Sequence, residues 1–176
     1  MTSDLSDNLS PSFQCADAIE VSLCIEKEGM VFYEKAAKHA RNPKVRDIFG
    51  RLAREEKEHI HSLQEKAKFL QPAVSRKAIS RKHVEEFISA ELSGKVFPVV
   101  KGKVTAVPQF QTDLEALQLG IESEMRSIEV LGRLMESEKK MDVRAIFSHL
   151  LAEERKHLAA LEELKGHFSP GDSRGG

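Results

Sequence analysis

The 176-residue chain contains no Trp, one Tyr and two Cys. Cys15 and Cys24 form no CxxC pair, which excludes a four-thiolate zinc or iron site. Two lone thiols suit a reducing compartment. No apolar run approaches the roughly 20 residues that a membrane-spanning helix needs, so no membrane partner is expected. The opening MTSDLSDNLSPSFQ is polar and acidic and lacks the basic and apolar regions of a signal peptide, so the cytoplasm is the expected location. An excess of positive charge is also missing: 27 Lys and Arg stand against 28 Asp and Glu, for a formal net charge of -1. Phosphate backbones would meet no basic surplus, and nucleic acid is not an expected partner.

What is present favours helices. The chain is 40% hydrophobic and 31% charged, rich in Glu, Lys, Leu and Ala. Four long helical patterns cover about 16–40, 43–70, 112–139 and 142–168. Asn42-Pro43 reads as a stop and restart, because Pro is tolerated at a first helical position. Thr112 or Asp113 is expected to cap the third helix and Asp142 the fourth. Residues 1 to about 15 read as a flexible arm and 169–176 as a flexible tail. The stretch 71–111 differs: Ser80–Leu92 suits a short helix with Val84, Phe87, Ile88 and Leu92 on one face. Gly94, Pro98, Gly102 and Pro108 then punctuate a Val-rich, non-helical segment. The expected fold is all-α, a four-helix bundle of two helical hairpins joined by a long crossover.

An internal repeat carries the most information. At an offset of 98 residues, Val45-Arg46-x-Ile48-Phe49-x-x-Leu52 meets Val143-Arg144-x-Ile146-Phe147-x-x-Leu150. At the same offset Glu55-Glu56-x-x-His59 meets Glu153-Glu154-x-x-His157, and Glu26 meets Glu124. Each helix has an apolar stripe with one Glu inside it. The stripes are Ile19, Leu23, Glu26, Met30, Tyr33 and Ala37; Val45, Phe49, Leu52, Glu56, His59 and Leu63; Leu117, Ile121, Glu124, Ile128, Leu131 and Met135; and Val143, Phe147, Leu150, Glu154, His157 and Leu161.

An ionised Glu in an apolar interior costs several kcal/mol unless it is paired or binds a metal. Four facing one another would repel, and two divalent cations would cancel their charge. Carboxylates with imidazoles suit iron or manganese, with zinc able to compete. The expected ligands are therefore Glu26, Glu56, His59, Glu124, Glu154 and His157. Glu58 and His61 also read ExxH, but the repeat matches them with Lys156 and Ala159, and they lie off the stripe. They are expected at the surface, as are His39, His83, His149 and His167. The alternative reading is a metal-free helical interaction module whose Glu and His are ordinary solvated charges.

The segments IEKEGMVFYEKAAK, VRDIFGRLAREEKEHIHSL, LEALQLGIESEMRSIEVL and VRAIFSHLLAEERKHLAAL resemble the rubrerythrin family of ferritin-like di-iron proteins. The resemblance covers roughly 16–168 and implies a ferritin-like domain with two iron ions held by the six residues above. It implies a centre that reacts with hydrogen peroxide or dioxygen, and a homodimer. Well-studied members draw electrons from a rubredoxin domain with four cysteines. This sequence has two, so a rubredoxin-like or reductase donor is expected from outside. Those members also carry a further Glu one turn beyond the third-helix ligand, where this chain has Ser127. Tyr33 is expected to hydrogen-bond a ligand carboxylate, the alternatives being a core aromatic or an electron source. An oxidoreductase, peroxidase-like or ferroxidase-like, is the expected activity, with iron handling without redox turnover as the alternative.

Overall fold

The structure is a computed structural model describing residues 13–74, 78–98 and 110–168. The tail, the arm before residue 13 and most of the Val-rich segment, including Gly102 and Pro108, lie outside the described residues. Among the described residues every regular element is helical: α1 (Cys15–His39), α2 (Pro43–Val74), α3 (Ala78–Phe87) running into a π-helical turn (Ile88–Leu92), α4 (Asp113–Ser137) and α5 (Met141–Gly166). None is long and apolar enough to cross a membrane. α1 packs chiefly on α2 and α4 on α5, while α1 and α2 also touch α5 and α1 touches α4. The four long helices thus form two hairpins packed together, as the repeat implies.

The buried faces follow the expected stripes most closely in α5, where Val143, Phe147, Leu150, Glu154, His157 and Leu161 are all buried. In α2, Val45, Phe49, Leu52, Glu56 and Leu63 are buried and His59 is half-buried. α1 departs from its stripe. Leu23, Met30 and Ala37 are only half-buried, whereas Val21, Ile25, Phe32 and Ala36 are buried. Contacts with α2, α3, α4 and α5 wrap more than one side of α1, so a single narrow stripe does not describe it.

The helix ends divide the capping work differently from expectation. Thr112 Oγ1 accepts from Glu115 N–H at 3.1 Å and caps α4. Asp113 instead accepts from the backbone N–H groups of Arg41 (3.0 Å) and Asn42 (2.6 Å), tying the α1–α2 corner to the start of α4. Asp142 is not the cap of α5, which begins one residue earlier with Lys140 at the cap position. Asp142 lies inside the first turn, where its Oδ1 accepts from Val143 N–H at 2.9 Å. Buried Glu138 orders the turn before the helix: its Oε1 accepts from Lys139 N–H (2.8 Å) and Lys140 N–H (2.9 Å). Its Oε2 accepts from Phe13 N–H at 3.2 Å, and the Phe13 ring packs edge-on to Phe87 and Phe147.

The crossover reaches the core through a two-sided clamp. Glu28 Oε1 of α1 accepts from Gly94 N–H at 3.1 Å, and Arg126 Nε of α4 donates to Val96 O at 3.1 Å. Gly94 has φ 69°, where a side chain is unfavourable. The clamp seats the buried Phe97 against Phe32 (centroids 5.7 Å apart) and Tyr33 (5.9 Å).

Candidate metal centre

Glu26 comes from α1, Glu56 and His59 from α2, Glu124 from α4, and Glu154 and His157 from α5. Each lies on the inward face of its helix, so the packing of the two hairpins brings them together midway along the bundle. Glu26, Glu56, Glu124, Glu154 and His157 are buried to 2% exposure or less; the His59 side chain keeps 23%. Two groups able to hold a metal ion result: Glu26, Glu56 and His59, and Glu56, Glu124, Glu154 and His157. Within each, one ligand atom per residue lies within 4.8 Å of all the others. Glu56 belongs to both, so its carboxylate stands between two adjacent cation positions.

Both histidines turn Nδ1 inward. His59 Nδ1 lies 3.3 Å from Glu26 Oε2 and 3.9 Å from Glu56 Oε2. His157 Nδ1 lies 3.2 Å from Glu56 Oε1 and 3.6 Å from Glu124 Oε1. The Tyr33 hydroxyl donates to Glu124 Oε1, as expected of it. Many other polar atoms here have no hydrogen-bond partner: both oxygens of Glu26, Oε2 of Glu56, Glu124 and Glu154, and Nδ1 of both histidines. Buried polar atoms are rarely left so. Their convergence, and a donor set of carboxylate oxygens and imidazole nitrogens, fit hard or borderline divalent cations.

The electrostatics of the cluster's own residues point the same way. Burial, with the neighbouring Glu56 carboxyl, pushes Glu26 up to about 9. Burial also raises Glu154 well above its ordinary value, aided by Glu124. Glu56 goes the other way. Burial would lift it, but its contacts with Glu26, His157 and His59 outweigh that and hold it at about 2. The carboxylates of Glu26 and Glu56 lift His59 to about 10. Burial opposes the charging of His157, yet Glu124 and Glu56 also lift it to about 10. Without a cation, the cluster neutralises itself by retaining protons.

Residues 17–165 match the rubrerythrin family. The chain belongs to the rubrerythrin family. No curated protein and no solved structure matches it. Its all-α bundle is accordingly of the ferritin-like type, and the buried carboxylate–histidine cluster is, among the described residues, the candidate metal site of this rubrerythrin domain.

The control pair behaves as expected: Glu58 and His61 are exposed. His39, His83, His149 and His167 are exposed as well. Two residues close to the centre are missing from the sequence-based ligand set. His157 Nε2 lies 3.3 Å from Glu55 Oε2, and His59 Nε2 lies 3.9 Å from Glu153 Oε2. The signal for them was present, since the repeat doubles Glu55-Glu56 as Glu153-Glu154, but both lie off the apolar stripe. Gly29 is a second omission. A Cβ there would come within 3.1 Å of Glu56 Oε1 and 3.2 Å of the Phe97 ring, so any larger residue would press on both side chains.

Proposed function

We propose that this rubrerythrin-family chain is a non-haem di-iron protein that reduces hydrogen peroxide or dioxygen with electrons from an external donor. The observation that carries the reading is the sharing of Glu56 between two adjacent groups of ligand atoms, which suits a metal pair better than one isolated ion. Glu26, Glu56 and His59 would hold one iron, and Glu56, Glu124, Glu154 and His157 the other. Manganese or zinc are the expected substitutes. When bound, a redox-active metal pair supplies Lewis acidity and electrons for a small oxidant. The protein's own part is to position and insulate. Tyr33 holds Glu124 through its hydroxyl, and the rings of Phe32, Phe49 and Phe97 around Tyr33 exclude water from that side.

Internal thiols are poor candidates for the electron source. Burial raises Cys15 to about 11 and Cys24 to about 12, so both stay protonated at neutral pH. This favours a separate donor, rubredoxin-like or a reductase. A cytoplasmic homodimer is the expected setting.

A second reading, iron binding and oxidation without turnover, draws support from the partial exposure of His59, which leaves one side of the centre in reach of solvent ions. Anaerobic loading followed by metal analysis tests both readings, and a chain that takes up no iron would sink both. Mixing the ferrous protein separately with peroxide and oxygen then ranks them. Faster oxidation by peroxide, sustained by added donor, supports the enzyme. Equally slow responses to both oxidants count against a peroxidase.

A further inference from the structure

We propose that Glu55 and Glu153 are positioning residues, each orienting the histidine of the opposite hairpin, and that their unequal hold makes the His59 side the exchangeable half of the centre. This rests on the metal reading above. A neutral imidazole that presents Nδ1 to a cation carries its proton on Nε2. A carboxylate facing Nε2 accepts that proton, fixes the tautomer and ring plane, and makes Nδ1 a better ligand. Both rings face this way, with Nδ1 toward the buried carboxylates and Nε2 toward Glu55 or Glu153. Glu55, at 3.3 Å, is within reach of the Nε2 proton, whereas Glu153, at 3.9 Å, acts on His59 as a nearby charge.

The arrangement is reciprocal. Glu55 on α2 serves His157 on α5, and the repeat converts this pair into Glu153 on α5 serving His59 on α2. Each hairpin therefore supplies one histidine and the carboxylate for the other's histidine. The two contacts are not equal. Glu55 lies 3.3 Å from His157 Nε2, and its other partner, Arg51 Nε, is 3.8 Å away. Glu153 lies 3.9 Å from His59 Nε2, while its Oε1 accepts from Lys156 Nζ at 2.7 Å. The repeat places Glu58 where Lys156 stands, so Glu55 has no matching competitor. The His157 side chain is 2% exposed and that of His59 23%. The shorter contact thus holds the drier ring, where electrostatic orientation is least screened.

Calorimetric titration of the anaerobic, metal-free protein with ferrous iron tests this. Wild type binds in two steps of unequal affinity. Glu55→Ala weakens the tighter step by about 10–100-fold, the range for losing such a partner. Glu55→Gln restores most of the loss, because an amide oxygen still accepts the Nε2 proton. Glu153→Ala weakens the looser step, and by a smaller factor. Both residues are half-buried, and an unchanged helical circular dichroism spectrum separates lost positioning from lost folding. Alanine variants that bind both ions with wild-type constants overturn the inference while the metal reading stands. A wild-type chain that binds no ferrous iron overturns both.

Discussion

The two hairpins repeat their candidate ligands faithfully and their immediate surroundings only in part. Glu26, Glu56 and His59 recur as Glu124, Glu154 and His157. One corner contact recurs too: Arg46 donates to Ala40 O (3.0 Å) and Arg144 to Glu138 O (3.2 Å). Around the centre the match fails. Tyr33 corresponds to Leu131, so Glu124 receives a phenol hydrogen bond whereas neither oxygen of Glu26 has a hydrogen-bond partner. Gly29 corresponds to Ser127, whose buried hydroxyl is likewise without a partner. Phe49 stacks on Tyr33 at 5.9 Å, while Phe147 meets Phe13 edge-on. The ligand set is therefore symmetric in chemistry but not in environment. Two cations bound there would differ in exposure and in ligand freedom.

The largest expected effect breaks the comparison outright. Glu56 belongs to both groups and Glu154 to one. Glu56→Ala is expected to lose both ions. Glu154→Ala is expected to lose the ion beside His157 and keep the one beside His59. Glu58→Ala, on the exposed face, is expected to keep both. Metal analysis after anaerobic iron loading reads all three. A Glu58→Ala variant that lost iron would show that the wrong face had been assigned to the centre.

The pH dependence of the metal-free protein comes next. Glu26 and Glu154, one from each hairpin, are raised above their ordinary range by burial. His59 and His157 are raised to about 10. A raised group stabilises the fold fully below its unfolded pKa and loses that contribution as pH climbs through its folded one. Between about pH 6.5 and pH 9 the folded state then binds more protons than the unfolded state, and stability falls with rising pH. Glu56, held at about 2, works in the opposite sense, but its contribution is lost only as pH falls below the ordinary carboxylate range. Metal displaces these protons, so stabilisation by metal grows over the same window. Urea unfolding at a series of pH values, with chelator and with ferrous iron under argon, checks both slopes. A metal-free protein that gained stability from pH 6.5 to 9 would contradict the proton-filled centre.

The reach of the sequence follows the same division. The hairpins, the crossover and the six inward residues were legible because a charged residue inside an apolar stripe is anomalous, and the repeat showed the anomaly twice. Glu55 and Glu153 were hidden because an off-stripe Glu beside Lys and Arg looks like any solvated charge. Their relation to the histidines exists only once α2 lies against α5. Phe97 was hidden for a related reason. Its place beside Tyr33 depends on a clamp between residues far apart in the chain, Glu28 and Arg126. The α5 cap misled because the helix starts at Met141, which puts Lys140 at the cap position and Asp142 inside the first turn, while buried Glu138 holds the N–H groups of Lys139 and Lys140 just before it.

A smaller effect sharpens the contrast between Glu26 and Glu124. Tyr33→Phe removes the phenol and leaves buried Glu124 Oε1 without its donor. Losing such a bond costs about 1–3 kcal/mol, to be read from urea unfolding of the metal-free protein. With metal, the loss is expected in the affinity of the group containing Glu124, and the group containing Glu26 is expected to bind as before. Equal weakening of both would mean that Tyr33 acts through general packing, since its ring also touches Phe32, Phe49 and Phe97.

The smallest effect concerns the crossover, which has no counterpart in the repeat. Gly94 is the residue whose φ of 69° lets its N–H meet Glu28. Gly94→Ala adds a Cβ in a left-handed conformation, at a cost of about 1–2 kcal/mol. Gly29→Ala tests the same wall from inside, by pressing a methyl group between Glu56 and Phe97. The two substitutions differ in what they reach. Gly94→Ala is expected to lower stability while leaving iron uptake intact, because the six inward residues stay in place. Gly29→Ala is expected to disturb uptake as well, because Glu56 itself must shift. If Gly94→Ala lowered iron uptake as much as Gly29→Ala, the crossover would be part of the centre's support and not only its cover. The asymmetry between the halves would then begin with the one segment that has no partner.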